Sequence, residues 1–231
     1  MSASDQRLTV LQIINEARAK TKLNPVTTVA GDSDSLTKLM YLNDVIAEVS
    51  DYGPWQESLR EFTISAVSSV ADYNVSVSSA PIIQRIHEVV FGDDIQAMSK
   101  VDLDQIRRLN RLGGTGVPTQ WGIVGTDSNS NPVIRVYPTP GANQDGSTFK
   151  ILAYEKPSYL TTADGATVPV FPGRLLVQGL LAKVVYDESD GEPTERYQNS
   201  KAMFNEMLTQ SYNRYNGDSG STVYFKPSRG R

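Results

Sequence analysis

The hydrophobic period of this chain changes twice, and that double change limits its architecture more than any other feature. Apolar residues recur at helical spacing up to Trp55, at a spacing near two from about Leu59 to Tyr159, and at helical spacing again from about Phe171. The first pattern belongs to amphipathic helices and the second to half-buried strands. A chain that returns to its opening texture is expected to build one helical unit from both ends and to carry its middle as an insert.

Local signals place the elements. Thr9 and Gln12 have the spacing of a capping box, with Leu8 and Ile13 as its hydrophobic staple. Val10, Ile13, Ile14 and Ala17 then share one helical face, and Asn24-Pro25 lies beyond the end. A linker carrying Gly31-Asp32-Ser33 precedes a second helix, which Gly53-Pro54 terminates. Its predicted inner face is Leu36, Leu39, Met40, Asn43, Ile46 and Ala47. Asn43, the one polar member, is expected to be hydrogen-bonded inside the bundle.

In the middle, strands are predicted over 62–66, 73–77, 82–91, 120–124, 133–137 and 149–154, with turns at 127–132 and 145–146 and one short helix near 103–109. So many short strands predict a small antiparallel barrel or sandwich. Residues 174–186 are nearly all apolar, which predicts the most buried helix. An acidic loop over 187–192 and Pro193, read as a first-turn proline, lead into a last helix. Tyr197, Phe204, Met207, Leu208, Ser211 and Tyr215 line one side of it, and Gly217 is its expected C-cap. The expected fold is therefore α+β. Residues 1–56 plus 168–216 make a four-helix bundle with the first and last helices packed together, 57–167 make the β insert, and 217–231 make a flexible C-terminal tail.

Chemistry is thin along this chain. It has no cysteine, which removes disulfides, thiolate catalysis and thiolate-bound zinc. Its net charge of -4 gives no basic footprint for tight DNA binding. No apolar run is long enough to span a membrane, and the N-terminus lacks the pattern of a secretory signal, so Asn74-Val75-Ser76 carries no meaning as a glycosylation sequon. His87 is the only histidine; alternation groups it with Ile83, Arg85 and Val89, and it reads as a partly exposed structural residue. Leu112-Gly113-Gly114-Thr115-Gly116 lacks the Lys-Ser/Thr ending of a phosphate loop and precedes Val117-Pro118 rather than a helix. Asp127-Ser128-Asn129-Ser130-Asn131 opens like a calcium loop, but Pro132 and Pro138 stand where glycine and glutamate are needed. Glu57, Glu61, Glu88, Asp93, Asp94 and Glu155 supply carboxylates with no spacing that selects a hydrolytic pair. No catalytic residue, cofactor site or metal site is expected.

Several short motifs resemble those of bacteriophage head-to-tail adaptor (head-tail connector) proteins, tail tubular protein A of short-tailed phages among them. They are the 9–17 segment, Tyr41-Leu42-Asn43-Asp44 followed by Trp55, Gly116-Val117-Pro118-Thr119-Gln120-Trp121, Val136-Tyr137-Pro138-Thr139-Pro140, Tyr154-Glu155-Lys156-Pro157, and Val170-Phe171-Pro172 before the apolar helix. Asp44 departs from the commoner glutamate. The resemblance covers about residues 8–215 and implies a structural, non-enzymatic virion protein at the portal vertex, assembled in the host cytoplasm. It implies a ring of about twelve copies between the portal protein and the tail nozzle or fibre proteins. The bundle would lie toward the portal and the β part toward the tail, and genomic DNA would pass through without specific binding. By the same resemblance, the tail residues Val223, Tyr224, Phe225, Lys226, Arg229 and Arg231 are expected to grip the portal. A tail-associated peptidoglycan-degrading glycosidase and a carbohydrate-binding β module are the competing functions. The first needs a working carboxylate pair and the second needs aromatics gathered on an exposed β face.

Overall fold

The computed structural model describes residues 7–75, 82–93 and 96–217. In chain order the helices are α1 (Val10–Lys20), α2 (Ser33–Tyr52), α3 (Leu103–Leu112), α4 (Gly173–Glu188) and α5 (Glu195–Gly217). The strands are β1 (Leu59–Ser65), β2 (Asp72–Asn74), β3 (Ile83–Phe91), β4 (Ser99–Lys100), β5 (Thr115–Gly116), β6 (Gln120–Thr126), β7 (Pro132–Tyr137), β8 (Thr139–Pro140) and β9 (Thr148–Glu155). The fold is α+β. Described residues up to Glu57 and from Tyr159 onward form one unit, and Ser58–Ser158 form the other. Of the expected C-terminal tail, Gly217 ends α5 and residues 218–231 lie outside the described residues.

In the helical unit the expected capping box opens α1. The Thr9 N–H donates to Gln12 Oε1 at 2.8 Å, and the Gln12 N–H donates to Thr9 Oγ1 at 3.3 Å. Val10, Ile13, Ile14 and Ala17 are buried, as their spacing predicts. Arg18, only 5% exposed, follows them inward. Its guanidinium meets Asp32 at 2.9 Å and Asp34 at 2.5 Å, and buried Lys38 also reaches Asp34. Two cations facing two carboxylates avoid the cost of a lone buried charge. Asp32 also caps α2, and the Ser35 N–H, followed by Arg18, holds its carboxyl below the ordinary aspartate value.

That cluster rotates α2 away from the predicted face. Leu36, Met40 and Ala47 are exposed, whereas Lys38, Leu39, Leu42, Asn43, Val45, Ile46 and Val49 are buried. An apolar stripe cannot anticipate a lysine on the inner side, and here Asp34 makes that lysine tolerable. Asn43 does turn inward as expected. Its side-chain N–H donates to the Leu160 carbonyl at 3.0 Å, and its Oδ1 accepts from the Leu160 N–H at 2.8 Å. Nearby, the Val10 N–H donates to the Thr167 carbonyl at 2.9 Å. Both bonds tie the returning chain to the opening helices.

Helix α4 is buried on nearly every side between Arg174 and Tyr186, and Leu175, Leu176, Val177, Leu180, Leu181, Val184 and Val185 are buried. Helices α1, α2 and α5 all pack on it. The first and last helices therefore pack chiefly on α4 rather than on each other, contrary to expectation, because the most apolar helix takes the middle. Trp55 stands edge-on to Phe171 and Tyr212 at ring separations of 5.3 and 5.5 Å. Pro193 precedes α5 rather than sitting in its first turn, and Thr194 caps the helix through its hydroxyl.

In the second unit, β1-β9-β3 form an antiparallel sheet, and β2-β7-β6-β4 form another in which β4 runs parallel to β6. A small parallel pair, β5-β8, completes it. Phe62, Ile86, Val89, Phe149 and Ile151 from the first sheet share a core with Tyr73, Trp121, Ile134 and Val136 from the second. The barrel expectation fails: among the described residues the sheets do not close. Parallel pairing needs a crossover, and α3 supplies it between β4 and β6, a step that alternation cannot reveal.

Two predictions follow from the helical core. Asn43→Leu removes both partners of a buried backbone pair and should cost about 2–4 kcal/mol in urea unfolding. A Cβ on Gly179 would lie 2.5 Å from Val45 Cγ1 and 2.8 Å from Phe204 Cε2. Gly179→Ala should therefore lower the melting temperature by a net loss of about 1–3 kcal/mol, although alanine favours helix.

Candidate interaction surfaces

The residues considered for chemistry are not gathered into a reactive centre. His87 is exposed on β3 with its ring 5.9 Å from that of Tyr154, and two register shifts break the alternation assigned to that strand. Ile83, Ile86 and Val89 are buried while Arg85 and His87 face out. The Asp127 carboxylate accepts from the N–H groups of Asn129 and Asn131 at 2.8 and 2.9 Å, so it serves the turn between β6 and β7. Asn131 in turn receives the Ile83 N–H at 2.9 Å. Among the described residues no group of three or more metal-ligating side chains occurs.

The carboxylates are likewise dispersed. Glu61 and Glu88 stand on opposite sides of β9, both in register with Leu152. Glu155 lies 3.7 Å from Arg60, and Asp93 lies 3.5 Å from Lys150. Glu57 belongs to the helical unit, where burial holds its carboxyl above the usual glutamate value. Asp94 lies outside the described residues. The glycine-rich segment runs from the end of α3 into β5, and no helix follows it to face a phosphate. An open hollow of 350 Å³ beside it is lined by Thr115, Gly116, Val117 and residues 141–144, none of them titratable. Tyr73, Phe91, Trp121, Phe149 and Tyr154 are buried in the sheets rather than exposed on one face.

What the surface does carry is segregated charge. Helix α3 is capped by Asp102, which accepts the Gln105 N–H at 2.7 Å, and only Ile106 is buried. The remaining circumference presents Arg107, Arg108 and Arg111 to solvent, bracketed by Leu103 at 37% and Leu112 at 78% exposure. No ion pair among the described residues takes any of the three arginines. Sequence reasoning missed this surface by ending the short helix at 109, before Arg111 and Leu112. The signal was present: arginines at i+1, i+2 and i+5 from the one apolar anchor.

The acidic loop after α4 is the second surface. Asp190 and Gly191 adopt φ of 54° and 78°, and the Gly191 N–H donates back to the Tyr186 carbonyl at 3.0 Å. Ser189 Oγ lies within 3.0 Å of the carbonyls of Val185, Tyr186 and Glu192, which fixes the turn. Glu188 pairs with Arg196 at 3.1 Å. Burial, reinforced by a hydrogen bond to Asp187, raises the Tyr41 phenol above its ordinary value. Asp190 and Glu192 take no ion pair among the described residues. The six tail residues expected to grip a partner lie outside the described residues.

Residues 8–226 match the family described as SU10 adaptor protein, and the chain belongs to that family. The phage head-tail adaptor class suggested by the sequence motifs is thereby shown, whereas the narrower likeness to tail tubular protein A is not confirmed by the match. No curated protein sequence matches the chain. No helix among the described residues is long and apolar enough to cross a membrane.

Proposed function

We propose that this chain is a structural virion subunit that joins the portal protein to the tail as a ring of about twelve copies and extends the DNA channel. The observation that carries the reading is the family match over residues 8–226, which takes in both units rather than one module. The four helices form the portal-proximal bundle, and the β unit meets tail nozzle or fibre proteins. Residues that only join parts need no reacting group, so the role is non-catalytic and requires no cofactor. The net charge of -4 suits a conduit, because phosphate contacts would retain genomic DNA that has to slide through. The working place is the portal vertex of the virion, reached by assembly in the host cytoplasm.

Interrupting the coding sequence in a phage that carries it should yield DNA-filled heads without tails in negative-stain images, and supplying the protein should restore them. Normal tailed particles from the interrupted phage would refute the role.

The tail is part of the same proposal. The family match extends to residue 226 and so includes Val223, Tyr224, Phe225 and Lys226. The first three form a β-prone apolar island suited to adding to a neighbour, and Lys226, Arg229 and Arg231 complement an acidic portal surface. Deleting residues 217–231 should leave the circular dichroism spectrum folded and abolish co-sedimentation with portal. Unchanged portal binding would remove the tail from the contact.

A further inference from the structure

Among the described residues, α3 and the turn after α4 present charge of opposite sign, and each is already fixed in shape. Ile106 anchors α3 so that Arg107, Arg108 and Arg111 are held outward, with Leu103 and Leu112 at the ends of the row. Beyond α4, the bonds made by Ser189 and Gly191 hold Asp190 and Glu192 on a short rigid turn. Neither set finds an ionic partner among the described residues.

This inference rests on the ring reading above. Neighbours in a ring meet head to tail, so their contact uses two different patches rather than one self-complementary patch. We infer that α3 of one copy docks on the 187–192 turn of the next, with Arg107, Arg108 and Arg111 facing Asp190 and Glu192. Guanidinium groups pair with carboxylates in a fixed two-pronged geometry, which sets orientation as well as attraction. The exposed leucines at the ends of α3 give the contact an apolar margin. They also favour a protein partner over a nucleic-acid backbone, whose phosphates offer no apolar surface to cover them. Exposed ion pairs hold weakly, so the isolated chain stays largely monomeric and the contact orients copies that the portal has already gathered.

The absence of cysteine from the sequence makes the contact testable. Arg111→Cys combined with Asp190→Cys places the only two thiols on the two patches, leaving Arg107, Arg108 and Glu192 to steer. Mild oxidation of the purified full chain in low salt should give a ladder of dimers, trimers and higher species. Either single variant can end only at a dimer. Arg111→Cys paired with Ser128→Cys, on the exposed turn between β6 and β7, measures random collision. The ladder should be lost on adding Arg107→Glu and Arg108→Glu, and at about 1 M salt, where screening acts within about 3 Å. A ladder no stronger than the collision control, one indifferent to charge reversal, or a disulfide closed within one chain would each overturn the contact. So would loss of low-salt DNA retention in Arg107→Glu/Arg108→Glu with no change in the ladder, which would assign α3 to nucleic acid. Tail attachment on phage particles is scored separately. Tailed particles alongside a missing ladder would sink this contact and leave the adaptor role standing.

Discussion

The helical unit depends on a side chain that makes good a break in its own sequence. The described residues up to Glu57 and from Tyr159 onward belong together, yet 101 residues separate them. The chain returns as irregular backbone, whose polar groups must find partners before they can be buried. Asn43 satisfies both groups of Leu160 at once, and an amide is the one short side chain that can donate and accept in that way. From that fixed point the chain reaches Phe171, which packs against Trp55, and then enters α4. The most apolar helix thus packs on the opening helices although the other unit lies between them in the chain.

Helix α4 then decides how its neighbours lie. Its apolar residues fall on nearly every side and have to be covered, and α1, α2 and α5 supply the cover. Gly179 sets the closeness of approach: Val45 and Phe204 occupy the space where a methyl group would stand. Gln178, buried beside it, keeps its amide satisfied on the Ser200 carbonyl at 3.2 Å. Glu48 draws Lys183 and Lys201 together and so fastens α2, α4 and α5 at their shared edge. The second unit has no such central element. Its core is shared by two small sheets, and Asp72 and Arg135 lock the β2-β7 register through paired contacts of 2.5 and 2.6 Å.

How much of this could be read in the sequence varied with what each residue had to balance. For α1, four apolar residues and a capping box agreed, and the face was read correctly. In α2 the same counting misplaced the seam because Lys38 is buried by virtue of Asp34, a contact made by charge rather than by hydrophobicity. In β3 the alternation broke at two register shifts, so that Arg85 and His87 left the face on which Ile83 and Val89 remain. Strands of two residues, β4, β5 and β8, carry too few side chains to show any period. The charged surfaces were obscured differently. The acidic turn was visible as composition, but the arginines of α3 are spread through a short helix whose single anchor, Ile106, gives periodicity little to count.

Exposed charge without an ion pair is ordinary on a protein surface; what marks these two surfaces is that like charges are gathered on elements of fixed shape. The Arg18, Asp32, Asp34 and Lys38 cluster shows that this fold pairs its charges where pairing is structural. Arg135 and Asp72 show the same on an exposed strand edge. Three arginines on one helix and two carboxylates on one turn, like exposed Arg85 and Arg174, take no ion pair among the described residues. Leaving like charges side by side costs a little stability, and that cost falls on elements already held by other means: Ile106 under α3 and Ser189 under the turn. A surface that is rigid, charged and unsatisfied within its own chain has lost little freedom left to lose on binding, so its attraction for a complementary surface is spent on orientation. In an adaptor, whose copies must be set at a defined angle rather than merely held together, orientation is the property that such surfaces provide.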